Sequence, residues 1–164
     1  MNFEYSIRPA NDGDLSGLKE VLSRNGQRST IVIDDRSLYY LAVMDGSTFI
    51  GLTGAELSGD SALIRSTAVL APYRAKGIAG QLVNTLLQDL KRKGIQKLYL
   101  FSRDTGAFWE GFGFSRCSVE EVMEAVPDAP QVVAYISDNS IWTDVAWCRY
   151  LVSGSRSGLI RKSD

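Results

Sequence analysis

The sequence contains no histidine, the residue that most often serves proteins as general base and metal ligand. Its absence excludes Ser-His-Asp and Cys-His hydrolases, and zinc sites that need imidazole. The two cysteines, Cys117 and Cys148, form no CxxC pair, so we expect ordinary thiols and no structural zinc site. Any chemistry must use carboxylates, tyrosine, lysine, backbone amides, water or a cofactor.

Excess charge and long apolar runs are also lacking. The 18 basic and 19 acidic residues give a net charge of −1, which offers no attraction for nucleic acid or an anionic membrane. No run of about 18 apolar residues is present, and Met1–Tyr5 lacks the pattern of a signal peptide. We therefore expect no nucleic-acid partner, no membrane partner and a cytoplasmic location.

The length and composition are those of an ordinary globular domain. The chain has 164 residues, of which 45% are hydrophobic, enough to bury a core. We predict one domain over residues 1–152 and a frayed tail over 153–164, which is rich in Ser, Gly and Arg.

The first part of the chain predicts a strand, a helix and an antiparallel meander. Asn11 supplies helix-capping chemistry, and Gly26 is a plausible end of that helix. Asp-Gly and Gly-Asp pairs separate the later strands, as in hairpins. The predicted strands are Tyr5–Pro9, Leu38–Met44, Thr48–Leu57 and Ala62–Leu70.

The second part begins with a long amphipathic helix, whose apolar residues from Ile78 to Leu90 share one face. A strand on either side of it predicts a crossover between parallel strands. The further predicted elements are strands at Lys97–Phe101, Gly113–Cys117 and Trp142–Leu151, and helices at Thr105–Gly111, Val119–Ala125 and Pro130–Ser137.

The loop between the third meander strand and the long helix carries the strongest chemical signal. A loop that enters a helix presents unpaired N–H groups at the positive end of the helix dipole, which favours an anion. Arg74 and Lys76 add charge, and Gly77, Ala79 and Gly80 keep the backbone accessible. The alternative is a solvated loop whose glycines serve tight packing.

Two motifs give this pattern a family resemblance. Arg74-x-x-Gly77-x-Ala79, after Val69-x-x-x-Tyr73, resembles the [RQ]-x-x-G-x-[GA] signature of the GNAT family of N-acetyltransferases. Phe108-Trp109-Glu110-Gly111-Phe112-Gly113-Phe114 is similar to the second motif of that family. The resemblance implies an α+β, three-layer fold. Its mixed sheet would have about six or seven mostly antiparallel strands with a splayed parallel pair, flanked by about four helices.

The resemblance also implies a cofactor, acetyl-CoA, and a set of residues that bind it. The pyrophosphate of coenzyme A would be held by N–H groups of the loop. The Val69 backbone would bond the acetyl carbonyl and the pantetheine. Catalysis would be direct attack of an amine on the thioester, without a covalent enzyme intermediate. The implied loop residues are Arg74, Ala75, Lys76, Gly77, Ile78, Ala79 and Gly80.

The acetyl acceptor is expected to be a small, amino-acid-like amine. Ala62–Val69 and Leu98–Thr105 resemble the acetyltransferase domains of N-acetylglutamate synthases and acetyltransferases associated with arsenic resistance. On that resemblance Arg65 would bind a substrate carboxylate, and Arg103 is a second candidate. Either could instead be a surface arginine lying over a sheet edge.

The sequence offers several candidates for the general base and no tyrosine at the usual position of the general acid. Glu56 is the first choice as base, acting through water, although it could be a solvent-facing strand carboxylate; Tyr73 and Tyr99 are weaker candidates. The family's second motif usually offers a tyrosine as acid, where this chain has Trp109, whose indole cannot donate usefully. We expect Trp109 to pack and the thiolate to leave unassisted.

Three other interpretations compete with a small-molecule enzyme. A Rossmann half is disfavoured because the loop is not G-x-G-x-x-G and a meander precedes it. A non-catalytic acyl-CoA sensor is motivated by the missing tyrosine. A protein N-terminus or lysine could replace the small acceptor. The family's tendency to dimerise leaves a homodimer open.

Overall fold

The computed structural model describes residues 3–27, 31–33 and 36–151 of the chain. The predicted tail at 153–164 lies outside the described residues. In the described part, seven strands and five α-helices form. The strands are β1 (Ser6–Pro9), β2 (Leu38–Asp45), β3 (Thr48–Ser58), β4 (Ser61–Val69), β5 (Lys97–Phe101), β6 (Ser115–Cys117) and β7 (Ala146–Tyr150). The helices are α1 (Leu15–Arg24), α2 (Ile78–Arg92), α3 (Gly106–Glu110), α4 (Val119–Ala125) and α5 (Pro130–Ser137).

The strands form one mixed sheet in the order β1-β2-β3-β4-β5-β7-β6. The parallel pair is β4 with β5, in register from Ser61 opposite Lys97 to Ile64 opposite Leu100. Strand β7 runs antiparallel to both of its neighbours, β5 and β6. The sheet confirms the predicted fold class, including the crossover through α2 that makes β4 and β5 parallel.

The chain groups into two compact units, whose boundaries fall inside β3, β4 and α2. The first unit is Met1–Ala55 with Arg65–Asp89, and the second is Glu56–Ile64 with Leu90–Asp164. The single domain over 1–152 stays a prediction.

Each unit has a hydrophobic cluster of its own. In the first unit, Leu18, Val21 and Leu22 of α1 pack with buried residues of the strands that follow. In the second, the α4 and α5 side chains of Val122 and Val132 pack with Tyr99 of β5 and other buried residues. These clusters explain why the apolar stripes of the helices could be read from sequence, since a helix buries one face.

The end of the described chain differs from the prediction. The closing strand was expected from Trp142, but β7 begins at Ala146. Residues Ser140–Thr143 form a 3-10 turn instead, after Asn139 adopts a left-handed φ of 64°. Ile141 of that turn is fully buried, so its apolar character serves the cluster of the second unit and not a strand.

No helix in the described ranges combines the length and the apolar composition that a membrane-spanning segment needs.

Candidate functional site

The loop between β4 and α2 has an unusual backbone. Ala75 and Gly77 both adopt left-handed φ angles, of 61° and 80°, with Lys76 between them. A left-handed angle costs a residue with a Cβ about 1–2 kcal/mol, so the conformation of Ala75 is maintained against local preference. Left-handed residues in a tight turn can direct successive N–H groups toward one anion, so this backbone suits an anion site.

Helix α2 adds its N-terminus to this loop. The N–H of Gln81 donates to the carbonyl of Gly77 at 3.1 Å, so the N–H groups of Ile78, Ala79 and Gly80 precede the helical ladder. The first turn contains no acidic side chain, and Lys91 and Arg92 lie in the last turn. The dipole of α2 therefore presents its positive end to whatever the loop binds.

The glycines of the loop are not explained by packing. A Cβ added at Gly77 or at Gly80 would meet no atom within 4 Å. The left-handed φ of Gly77 favours glycine, but Gly80 lies in the first turn of α2 without such an angle. The alternative of glycines serving tight packing is therefore wrong. The open space above Gly80 suits a ligand that approaches the backbone closely.

Replacement of Gly80 separates fold from function. We expect Gly80→Ala to stabilise the protein by about 0.5–1 kcal/mol, because glycine disfavours a helix and no protein atom obstructs the methyl group. Gly80→Leu, with its larger side chain over the loop, is expected to weaken acetyl-CoA binding at least tenfold. Urea unfolding and calorimetric titration measure the two effects. Undiminished affinity in the leucine variant would show that no ligand lies over Gly80.

Arg74 does not extend freely from the loop. Its Nε donates to the carbonyl of Val69 at 2.9 Å, and its Nη2 donates to the side chain of Asn25, just after α1. Arg74 thus ties the loop to the end of β4 and to the end of α1. The sequence predicts that Arg74 binds the pyrophosphate and that the Val69 backbone binds the acetyl group and the pantetheine. In the structure, Arg74 and Val69 are hydrogen-bonded to each other.

The two other polar side chains of the loop, Tyr73 and Lys76, each contact a residue of the first unit. The Nζ of Lys76 is 5.7 Å from the centroid of the Phe3 ring, close enough for a cation–π contact. The hydroxyl of Tyr73 donates to Asp45 at 3.1 Å. That bond, followed by burial, raises the pKa of Tyr73, which argues against Tyr73 as the general base.

Strand β4 contains one residue with an unusual backbone angle shortly before it reaches the loop. Ser66 has a left-handed φ of 62°, which a residue with a Cβ adopts at a cost. The neighbouring Arg65 is half-buried and its Nε donates to the Ser66 hydroxyl at 3.1 Å. This hydrogen bond restricts the orientation of Arg65, the predicted carboxylate ligand. Arg103, the second candidate, is exposed in the turn after β5.

Glu56 is the least expected feature of the second unit. Its side chain is 1% exposed, so the alternative of a solvent-facing strand carboxylate is wrong. One oxygen accepts the backbone N–H of Gln131 at 2.9 Å, at the start of α5, where a helix favours a negative charge. The Oε1 atom of Gln131 is buried and has no hydrogen-bond partner among the described residues. Gln131 therefore holds the Glu56 carboxylate through its backbone N–H, while its own side-chain Oε1 remains an unsatisfied acceptor.

The aromatic motif forms a packed group. Trp109 is 5% exposed and contacts the rings of Phe108, Phe112 and Phe114 at centroid distances of 5.0, 6.3 and 5.5 Å. Trp109 is a packing residue of the second unit, as expected. Tyr99 is buried too, and its burial, with Glu121 nearby, raises its pKa far above the ordinary value, so it is no general base.

The sequence profile of the Acetyltransferase (GNAT) family matches residues 9–114 of the chain. The chain belongs to the GNAT acetyltransferase family. It is an acyltransferase that depends on acetyl-CoA, and the match includes the loop with Ala75 and Gly77. No curated protein sequence matches this acetyltransferase.

Solved structures share the fold of this acetyltransferase. They include N-acetylglutamate synthase from Neisseria gonorrhoeae with coenzyme A and N-acetyl-glutamate (TM-score 0.69, 17% identity, 93% of this chain and 36% of that one). A GNAT acetyltransferase from Staphylococcus aureus has a TM-score of 0.69 and 16% identity, and the match covers 91% of this chain and 100% of that one. The PaiA N-acetyltransferase from Thermoplasma acidophilum, solved with coenzyme A, has a TM-score of 0.63 and 16% identity, and the match covers 90% of this chain and 99% of that one. The acetyltransferase spans only about a third of the gonococcal synthase.

Several residues of the site were missed from sequence. Asn25 and Gln131 carry no motif; they matter only because the fold brings them to Arg74 and Glu56. Ser66 and Ala75 adopt angles that sequence reasoning assigns to Gly or Asn. One feature of the sequence indicated the importance of Ala75. It lies between Arg74 and Lys76 in the loop that is expected to present its N–H groups to an anion.

Proposed function

We propose that this acetyltransferase transfers an acetyl group from acetyl-CoA to the primary amine of a small, amino-acid-like molecule. The observation that carries the cofactor half is the pair of left-handed residues, Ala75 and Gly77, at the start of α2. Their N–H groups and the helix dipole offer a preformed site for a pyrophosphate. The open space at Gly80 fits the same group.

The transfer needs positioning and the removal of one proton. Acetyl-CoA supplies an activated thioester, whose carbonyl carbon accepts the amine nitrogen while the carbon–sulfur bond breaks. The loop would fix the pyrophosphate end, and the Val69 backbone at the end of β4 would orient the reacting end. The protein then gains rate by alignment, without a covalent step of its own.

Glu56 is the proposed general base. An ammonium substrate must lose a proton before it attacks, and a carboxylate within reach, or one water away, can accept it. Its burial and the N–H of Gln131 hold the carboxylate in one orientation. The unsatisfied Oε1 of Gln131 is a further acceptor, which suits a water or an ammonium donor.

Arg65 is the proposed ligand of a carboxylate on the acceptor. The hydrogen bond to the Ser66 hydroxyl orients the guanidinium, which can pair with a carboxylate through two N–H groups. The gonococcal synthase was solved in complex with coenzyme A and N-acetyl-glutamate, and the latter bears carboxylates. That likeness of fold supports the same class here, with Arg103 as the second candidate.

Replacement of Arg65 tests the acceptor class. We expect Arg65→Ala to raise KM about tenfold or more for an acceptor with a carboxylate, because a charged hydrogen bond contributes about 1.5–3 kcal/mol. An amine without a carboxylate should show little change, and acetyl-CoA affinity should stay. Arg65→Lys, which keeps the charge and loses the fork, should lie between. Equal losses for both kinds of amine would make Arg65 structural.

The proposed function is tested by binding and turnover together. Calorimetric titration with acetyl-CoA is followed by a thiol-release assay with amino acids, simple amines and short peptides. Binding with release on one amino acid supports the proposal. Release only with peptides replaces the small acceptor by a protein, and binding without turnover on any amine favours a sensor. Size-exclusion chromatography of the same protein would show whether a homodimer forms.

Free thiols at Cys117 and Cys148 are consistent with the reducing cytoplasm, which we propose as the location.

A further inference from the structure

The second unit contains a cluster of two thiols and one carboxylate. One ligand atom from each of Cys117, Glu121 and Cys148 lies within 4.8 Å of the other two. Both cysteines are free. The cluster is separate in kind from the groups proposed for acetyl transfer, because neither the thiols nor Glu121 has a part in that reaction.

The sheet register explains how distant cysteines meet. Cys117 lies opposite Ala146 and Cys148 lies opposite Ser115 on the antiparallel strands β6 and β7. Because side chains alternate between faces, Cys117 and Cys148 share one face as diagonal neighbours. Helix α4 follows β6 directly, and Ser118 caps it by accepting the N–H of Glu121 at 3.1 Å. The carboxylate is thereby placed over the two sulfur atoms.

Two phenols fix the carboxylate. Tyr99 and Tyr150 both donate their hydroxyls to Oε2 of Glu121, at 3.2 and 2.5 Å. Tyr99 lies opposite Cys148 on β5, so the phenol and the thiol share a face. Hydrogen bonds that orient a ligating carboxylate from behind are a recurring feature of metal sites, where they hold the donor atom in place.

The cluster is both shielded and reachable. Cys148 is 9% exposed, while Cys117 and Glu121 are half-buried. Burial is the main cause that raises the pKa of Cys117 to about 12, and the electrostatic effect of Cys148 is the second. Without a cation the Cys117 thiol therefore keeps its proton at neutral pH, and a bound cation would have to displace it.

We propose that Cys117, Cys148 and Glu121 bind one thiophilic divalent cation of the zinc type. Two sulfurs and one carboxylate oxygen leave the fourth tetrahedral position to water, and zinc–sulfur bonds of about 2.3 Å place two sulfurs about 3.8 Å apart. The ligand atoms lie within 4.8 Å of one another, so binding would draw the two sulfurs together by about 1 Å at most. Sulfur ligands select zinc or cadmium over magnesium or calcium. The site is one that the spacing of the two cysteines in sequence did not predict.

The proposal is tested on the reduced full chain with zinc and with cadmium. We expect one zinc ion per chain in competition with a chromophoric chelator, and a rise in Tm of about 5 °C or more at a hundredfold excess over Kd. Cadmium should give a thiolate-to-metal charge-transfer absorption. Affinity should fall as pH is lowered, since protons compete for the thiolates.

Variants assign the binding to these residues. Cys117→Ser and Cys148→Ser should each abolish the cadmium absorption and lower zinc affinity at least a hundredfold. Glu121→Gln should weaken zinc about tenfold or more and leave the cadmium–thiolate absorption in place. The matched control is Glu124→Gln, an exposed carboxylate of the same helix, which should bind like the wild type. Circular dichroism establishes that each variant is folded.

Two results would overturn the proposal. One is wild-type protein that leaves all zinc with the chelator and shows no rise in Tm. The other is equal zinc affinity in the wild type and in a folded Cys148→Ser variant, which would place the ion elsewhere. Because the readouts are binding and stability, they are independent of the outcome for acetyl transfer.

Discussion

Gly77→Glu is expected to lower acetyl-CoA affinity by about two to three orders of magnitude. The new carboxylate would lie in the loop that is proposed to hold the pyrophosphate, and a like charge about 4 Å away at an effective dielectric of 20 costs about 4 kcal/mol. The left-handed φ of 80° adds strain for any residue with a Cβ. Calorimetric titration with acetyl-CoA measures the loss.

Two variants separate charge from strain. Gly77→Asn places an uncharged residue that tolerates left-handed angles, and it should retain most of the affinity. Gly59→Glu is the matched control, because Gly59 has a left-handed φ of 59° with open space around it and lies in a hairpin turn. It should bind acetyl-CoA normally. Unchanged affinity in Gly77→Glu would remove the loop from the site.

Glu56→Gln is expected to lower kcat by about 10²–10⁴-fold, the range of general-base catalysis. The amide still offers an oxygen to the Gln131 N–H, so the fold should be kept, but it cannot take a proton. The residual rate should rise with pH, because attack then depends on the fraction of free amine already in solution. Steady-state rates over a pH series measure this.

A structural role for Glu56 predicts a different pattern. Tm would fall, while the shape of the pH profile would match that of the wild type. Glu120→Gln, an exposed carboxylate of α4, serves as the matched control and should leave rate, profile and Tm unchanged. A near-normal kcat in a folded Glu56→Gln variant would exclude Glu56 as the base.

Local patterns predicted the elements well because they depend on residues close in sequence. The apolar spacing of α2 and the bounds of α4 and α5 needed only a helical period and the capping residues. Gly26 and Gly94 adopt left-handed φ angles of 73° and 89°, as expected after the ends of helices. The start of β7 was misplaced because Ile141 and Trp142, which lie in the 3-10 turn at Ser140–Thr143, are residue types that also favour a strand.

The candidate site was predicted where one segment carries it. The loop from Val69 to Gly80 is continuous, so its charges, glycines and position before a helix were all visible in sequence. The partners of its residues were not. Asn25 binds Arg74 and Gln131 binds Glu56 from other parts of the chain, and those pairings depend on tertiary packing, for which a single sequence gives no spacing rule.

The order of strands was equally hidden. Periodicity assigns a residue to a face of its own strand, but it does not say which strand lies beside it. The placement of β7 between β5 and β6 brings Cys117 and Cys148 together, although a motif search treats them as isolated. A site made by neighbouring strands thus escapes any rule based on short spacing.

The position of β7 also has a consequence for how the protein is made. While the chain is being synthesised, β6 has no sheet neighbour before Ala146–Tyr150 appears, because β7 is the strand that it pairs with. One edge of β5 is open for the same period. The nascent chain therefore carries unpaired strand edges, and such edges are where association with other chains begins. A ribosome stalled before Ala146 would hold a chain in which β6 and one edge of β5 have no strand to pair with.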